Sequence, residues 1–214
     1  MTTSVATHVT RGLALAARYL APALALLLML LTVFQRDFLK SASWTPVARN
    51  PVQWPSLMLL GPGGWLLAIA FVFAGLIIAS MGVRVTRHSK GRARVAGLVL
   101  ALVGVAVCLE SLPPGPVGPV KALHDVVYPV IPAGWFMAAI LLLGHDDSLR
   151  TWRALSRVAV ALLIAFAAGL WGTTQDSIAQ FSRYVVFLVE FVWLFLLARA
   201  LDEQSPLREG TDGP

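Results

Sequence analysis

The sequence predicts an all-α integral membrane protein, a six-helix transmembrane bundle with both termini cytoplasmic. Three observations predict this class: 57% of the 214 residues are hydrophobic, only 13% are charged, and the apolar residues form long runs. A soluble domain of this length could not bury so many apolar side chains, because much of any small protein lies at its surface. Bilayer hydrocarbon about 30 Å thick, which about 20 helical residues cross, accommodates them. A soluble enzyme is therefore disfavoured.

Six stretches are long and apolar enough to cross a bilayer, at about residues 13–34, 57–83, 95–112, 122–144, 155–172 and 184–201. In the first, the run at residues 22–33 follows Arg11 and Arg18, as the apolar run of a signal peptide would. No small-residue cleavage site comes after it, which predicts an uncleaved span. The six spans form a single transmembrane domain over residues 1–201. Residues 202–214 are polar and interrupted by Pro and Gly, which predicts a disordered cytoplasmic tail.

The cations predict how the spans are oriented. Twelve of the 17 Lys and Arg residues fall on the side that carries both termini, which the positive-inside rule assigns to the cytoplasm. We therefore expect a prokaryotic plasma membrane protein. Nucleic acid is disfavoured as a partner despite the net charge of +6, because the cations punctuate apolar runs instead of forming a continuous basic face. Five cations follow the second span, and they either serve only to orient the protein in the membrane or also form a site for anionic lipid. They are Arg84, Arg87, Lys90, Arg92 and Arg94.

Several features predict how the spans are capped and packed. Trp44 and Trp54 in the long outer connection predict a cap at headgroup depth, and two prolines predict a kink or break in the fourth span. Small residues at helical spacing predict close contacts of the second, third and fifth spans with other helices, or homodimerisation through one stripe. The stripes are Gly64, Ala68, Gly75, Ala79 and Gly82; Gly97, Ala101, Gly104 and Cys108; and Ala161, Ala165, Ala168 and Gly172.

One segment carries a family resemblance. Residues 55–87 contain a G-x-x-G-W turn at Gly61–Trp65 and an F-x-x-x-G stripe at Phe71–Gly75, and His124 opens the fourth span. In these features the chain resembles the domain of unknown function 998 family of prokaryotic membrane proteins. The sequence departs from that family in having a Pro/Gly-rich connection, instead of an acidic loop, before His124. The resemblance implies a six-span architecture and no biochemical role.

Glu190 is the first candidate functional residue, because an unpaired ionisable group inside a span costs several kcal/mol. It is predicted to lie about two turns inside the outer end of the sixth span. Arg183 is seven residues earlier on the same face but about 10 Å away along the axis, so direct pairing requires an inward reach or another helix. Glu190 is either a functional group or a polar contact that joins two helices.

A second candidate group lies at the outer turn of the fourth span, where His124, Asp125 and Tyr128 can share a broad face. Glu110 at the end of the third span and Asp176 in the last outer loop are expected at a similar depth. Together these groups could bind a cation, relay a proton or hold a polar headgroup, or the carboxylates could simply be solvated. Glu110 is predicted to face away from the small-residue stripe of its own span, which favours solvation.

No cofactor or metal site is predicted. Zinc requires three or four close ligands, whereas Cys108 and His124 lie at different depths. Haem usually requires axial ligands within the spans, and His124 is the only histidine near a span. Motifs of hydrolases, zinc peptidases and phosphate-binding loops are absent from the sequence.

Three functions follow, in order of preference. The first is a non-enzymatic accessory or lipid-interacting membrane protein. The second is a small transporter or proton-coupled carrier that uses Glu190 and Asp125. The third is a membrane enzyme of the outer face, with His124 and Asp125 as acid and base.

Overall fold

The structure, a computed structural model, describes residues 2–44, 55–113, 118–143, 145, 150–171 and 176–203. Within these ranges the regular elements are all helices, without a strand, which confirms that the fold is all-α. The helices are α1 (Thr2–Phe34), α2 (Arg36–Ser41), α3 (Gly64–His88), α4 (Gly91–Leu109), α5 (Pro119–Leu142), α6 (Arg150–Trp171) and α7 (Asp176–Glu203), with a 3₁₀ turn at Ser56–Leu60. Four described segments are long and apolar enough to cross a membrane, namely Ala16–Phe34 of α1 and the whole of α3, α4 and α5.

The six long helices form a closed ring. Neighbours along the chain pack against each other from α3 to α7, and α1 closes the ring by packing against both α3 and α7. Helices α3 and α7 also touch each other across the ring. Side chains on the inner faces form one continuous apolar core, whereas large apolar side chains cover much of the outer faces. This distribution suits a bundle surrounded by lipid.

The contact between α3 and α4 brings the two backbones together. A Cβ atom on Gly75 would lie 2.4 Å from the carbonyl oxygen of Gly104, and one on Gly82 would lie 2.6 Å from that of Gly97. No side chain fits at such distances, so only glycine permits this approach. The contact predicted from the small residues of the second and third spans is confirmed, and both stripes are used within the chain.

Helix α6 contacts α5 and α7, as predicted for the fifth span, but the one stripe residue that can be judged does not face them. Ala161 is exposed, while Ala165, Ala168 and Gly172 lie outside the described side chains. The described part of α6 is buried through a face at heptad-like spacing, namely Trp152, Leu155, Ala159 and Leu162. Trp152 and the two leucines fill more space than alanine, so this face packs against the neighbouring helices and turns Ala161 outwards.

Several helices differ in extent from the predicted spans: α1 begins at Thr2, 11 residues before 13, and α3 begins at Gly64, seven residues after 57. Helix α7 begins at Asp176, eight residues before the predicted start at 184, and it continues to Glu203. Asp176 is therefore helical rather than in a loop, and the first two residues of the predicted tail are helical, while residues 204–214 lie outside the described residues. Helix α5 runs without a break through Pro129 and Pro132.

Of the two tryptophans predicted to form a cap, Trp44 is buried and Trp54 lies outside the described residues.

Polar contacts join the helices at the end formed by the α3–α4 turn, the start of α6 and the end of α7, which we call the basic end. Asp202 pairs with Arg18 of α1, and Thr151 donates a hydrogen bond of 2.5 Å to Glu203. Three further contacts are those of Arg84 to the carbonyl of Leu201, Arg92 to the carbonyl of Leu143 at 2.8 Å, and Ser89 with Nε2 of His145 at 3.5 Å. These contacts link the six long helices, α1 through Arg18 near its middle and the others near their ends.

Replacing Gly104 with Leu should separate α3 from α4. The new side chain has no space, so we expect the free energy of unfolding to fall by about 1–3 kcal/mol. The midpoint of denaturation by sodium dodecyl sulfate in mixed micelles measures the effect. Ala161→Leu, a comparable enlargement on the exposed face of α6, is the matched control and should leave the midpoint unchanged. Equal midpoints for the Gly104 variant and the wild type would contradict the packing described.

Candidate functional site

Three polar side chains are buried together at the opposite end of the ring, which we call the cap end. Ser56, Glu110 and His124 are only 1%, 5% and 6% exposed. Ser56 begins the 3₁₀ turn, Glu110 follows the last residue of α4, and His124 lies in the second turn of α5. Three separate parts of the chain therefore meet in what we call the cap cluster.

The carboxyl group of Glu110 lies at the centre of the cap cluster. Ser56 Oγ donates a hydrogen bond of 2.5 Å to Glu110 Oε1, and His124 Nε2 lies 2.9 Å from the same oxygen. The second oxygen, Oε2, is buried and has no hydrogen-bond partner among the described residues. Tyr128 stacks on His124 one turn along α5, with ring centroids 6.2 Å apart. The serine therefore contacts the carboxyl group and not the imidazole, which differs from the serine–histidine–acid order of hydrolytic enzymes.

Gln35 holds the 3₁₀ turn from the other side. Its side chain is almost fully buried, and Nε2 donates hydrogen bonds of 3.0 Å to the carbonyl of Met58 and 2.8 Å to that of Pro62. Gly61 fits against this amide, because a Cβ there would lie 2.4 Å from Gln35 Oε1. The turn is therefore fastened both to the end of α1 and to the cap cluster.

Burial raises the pKa of the Glu110 carboxyl group above its ordinary value. The hydrogen bond from Ser56 and the nearby His124 side chain lower the pKa and only partly oppose this effect. A buried charge is costly unless it is compensated, so a carboxylate at this site depends on these two neighbours.

The expectation that Glu110 is solvated is wrong. The sequence places Glu110 away from the glycine stripe of α4, and Gly97 and Gly104 of that stripe face α3. Helix α4 has a second buried face towards α5, where Val103 meets Gly134. Glu110 is seven residues after Val103 and thus on that same face. Ser56 was not predicted at all, since a serine before an apolar run carries no signal of a partner 54 residues away.

The predicted group on α5 is divided by the structure. His124 and Tyr128 share a face as predicted, but the Asp125 side chain is 50% exposed and pairs with Lys121. Adjacent helical residues differ by about 100° in direction, which separates Asp125 from the buried imidazole. The two groups are thus poorly placed to act together on one substrate.

The side chains of Asp176 and Arg183 lie outside the described residues, although both positions are on α7.

Glu190 is deeper than predicted, since it lies 14 residues from the first residue of α7 and 13 from the last. Its side chain is buried, and the exposed residues Leu188 and Val192 lie on the opposite side of the helix. One turn further on, Trp193 packs edge-on against Trp135 of α5, with ring centroids 5.5 Å apart. Among the described residues, no cation forms an ion pair with Glu190. Glu190 therefore faces the interior of the ring at mid-helix.

Charges are segregated between the two ends. Seven described cations are exposed at the basic end, namely Arg87, Lys90, Arg92, Arg94, Arg153, Arg157 and Arg199. The acids described at this end are engaged, Asp202 with Arg18 and Glu203 with Thr151. Arg84, predicted with the lipid-binding set, instead donates to the carbonyl of Leu201 and lies near Asp202. Among the described residues of the cap end, three cations are exposed; Arg36 and Lys121 pair with acids, and Lys40 is the third.

No protein family, curated protein or solved structure matches this chain. Within the described residues, no group of three or more His, Cys, Asp or Glu side chains could hold a metal ion. The part of the chain that the structure describes is thus defined by its architecture, a helical ring with helices of membrane-crossing length and two separate buried carboxyl groups.

Proposed function

We propose that the chain is a six-span integral protein of a prokaryotic plasma membrane, with both termini in the cytoplasm and a non-enzymatic accessory, lipid-interacting role. The four apolar helices support the membrane location, and α6 and α7, with 22 and 28 residues, are long enough to provide two further spans. The motifs at Gly61–Trp65 and Phe71–Gly75 support membership of the domain of unknown function 998 family.

The exposed cations of the basic end carry this proposal. They come from the α3–α4 turn, the start of α6 and the end of α7, so three parts of the chain bring exposed positive charge to one end of the ring. Cytoplasmic segments are enriched in Lys and Arg, which supports an orientation with the basic end inside the cell and the cap end outside. Anionic headgroups of the inner leaflet would then face these cations, and each exposed charge contributes about 1 kcal/mol to such contacts.

Cysteine labelling tests the orientation. In a Cys108→Ser background, Lys40→Cys at the cap end should react with a membrane-impermeant maleimide in intact cells. Lys90→Cys at the basic end should react only after lysis, because the bilayer shields it from the reagent. Both lysines are exposed, so each variant controls for the accessibility of the other. The reverse labelling pattern would overturn the assigned topology.

Lipid retention tests the role. Arg87→Gln combined with Lys90→Gln should lower retention of phosphatidylglycerol relative to phosphatidylcholine by about tenfold or more in native mass spectrometry, because two of the lipid-facing charges are lost. Arg36→Gln combined with Lys40→Gln removes the same charge at the cap end and should retain the wild-type ratio. If both double variants behave alike, or if the wild type is released without lipid, the lipid-interacting role fails.

A second candidate function is a proton-coupled carrier, which the position of Glu190 favours. A carboxyl group at mid-helix, facing the interior without a described cation, is a typical feature of proton pathways in membrane proteins. Asp125 adds little to this candidate, because it is exposed and paired with Lys121. No observation favours the enzyme alternative, since the His124 and Asp125 side chains point in different directions.

Glu190→Gln should abolish proton flux if the carrier function is correct, because the amide cannot release a proton. Proteoliposomes that contain a pH-sensitive dye and carry an imposed membrane potential measure the flux. Asp37→Asn, which neutralises an exposed carboxyl group paired with Arg36, is the control and should keep the wild-type rate. A wild-type flux equal to that of empty liposomes would remove this candidate.

A further inference from the structure

Glu190 is isolated from other charged groups in the middle of the ring. Its side chain is 7% exposed, and within the described part of the chain it has neither a hydrogen bond nor an ion pair. No Asp, Glu, Lys, Arg or His occurs in the central stretches of the other long helices, which are residues 20–34, 66–83, 95–107, 129–142 and 158–171. A carboxylate without compensation is costly in apolar surroundings, so an ionised Glu190 requires a positive partner from outside the described residues.

A second polar group without a partner lies on the same side of α7. Trp193 follows Glu190 by about one turn, roughly 60° round the helix and about 4.5 Å along its axis. It is fully buried, and its Nε1 has no hydrogen-bond partner among the described residues, although a buried indole N–H usually has one. Its ring meets that of Trp135 edge-on, with centroids 5.5 Å apart. Since α5 and α7 are not neighbours in the ring, the two indole groups meet in its interior.

The surroundings of Glu190 indicate which kind of cation would fit. An inorganic cation such as Ca²⁺ requires about six to eight oxygen ligands. The described side chains near Glu190 on α7 that pack into the core are instead apolar or aromatic, among them Val189, Trp193 and Leu194. An organic cation with hydrocarbon groups needs few oxygen ligands, and its positive charge is attracted to the face of an indole ring. These surroundings therefore favour an organic cation over a metal ion.

We propose that Glu190, Trp193 and Trp135 form a binding site for a lipophilic organic cation of the quaternary phosphonium or ammonium class. The carboxylate neutralises the charge of the ligand, the indole rings attract it, and the apolar core accommodates its hydrocarbon groups. The site goes beyond the lipid-interacting role and does not depend on proton flux. If the carrier candidate is correct, this class of cation is its cargo.

Equilibrium dialysis of the full-length protein in dodecyl maltoside micelles tests the site, with radiolabelled tetraphenylphosphonium as the probe. Binding above that of protein-free micelles should saturate with a single cation per chain. Triphenylphosphine oxide, which has similar aromatic groups but no net charge, should not displace it. The absence of saturable binding, or displacement by the neutral compound, would overturn the proposal. The assay needs no membrane potential, so a protein that binds the cation without moving protons keeps the site and loses only the carrier function.

Two variants test the residues assigned to the site. Glu190→Gln should lower the affinity for tetraphenylphosphonium by about tenfold or more, because the opposite charge is lost in apolar surroundings. Trp193→Phe should lower it by about two- to tenfold, because a phenyl ring attracts a cation less strongly than an indole ring. Glu110→Gln, the same change at the buried carboxyl group of the cap cluster, is the matched control and should keep the wild-type affinity. Wild-type affinity in either of the first two variants would overturn the site as described.

Photolabelling locates the site in the wild-type protein, so the test does not depend on how well a variant folds. A benzophenone derivative of the phosphonium should crosslink to α5 and α7 within about two turns of Trp135 and Trp193. An excess of tetraphenylphosphonium should abolish these crosslinks. Crosslinks confined to outward-facing residues such as Leu188 and Val192 would mean that the cation binds only at the lipid-facing surface, and would contradict an interior site.

Discussion

The outer surface of the ring requires a solvent other than water, and the rest of the structure depends on this constraint. Leu98, Leu102 and Val105 on α4 are each more than half exposed, and comparable side chains cover α3. In lipid, such residues gain little by packing against one another, so apolar burial alone does not hold the helices together. The close backbone contact of Gly75 and Gly82 with α4 supplies the packing that replaces it.

The polar contacts at the two ends of the ring differ in how far they are buried. At the basic end, ion pairs and hydrogen bonds to carbonyl groups join helix ends while most cations stay exposed. At the cap end the central contact is buried, where the carboxyl group of Glu110 meets Ser56 and lies 2.9 Å from His124. Glu190 lies between the ends, separated from both sets of contacts. The described polar groups are thus spread over separate levels along the axis of the ring.

Much of the fold could be predicted from the sequence, because apolar runs and small-residue stripes are local signals. The start of α7 was missed since Asp176 and its neighbours are polar, and hydropathy marks the apolar part of a helix rather than its full length. The cap cluster was predicted only in part: Glu110 and His124 were expected at a similar depth, but Ser56 was not predicted and Glu110 was expected to be solvated. The burial of Glu110 depends on a second packing face of α4, and its contact with Ser56 joins distant parts of the chain. Neither property is present in a local pattern.

Spin-label accessibility along α4 tests most directly whether the outward face of the ring lies in lipid. Labels at Leu98, Leu102 and Val105, in a Cys108→Ser background reconstituted in liposomes, should be highly accessible to oxygen and inaccessible to a polar nickel reagent. A label at Lys90, just before α4, should show the opposite preference. High accessibility of Leu102 to the nickel reagent would mean that water, not lipid, covers this surface, and would contradict the membrane-spanning ring.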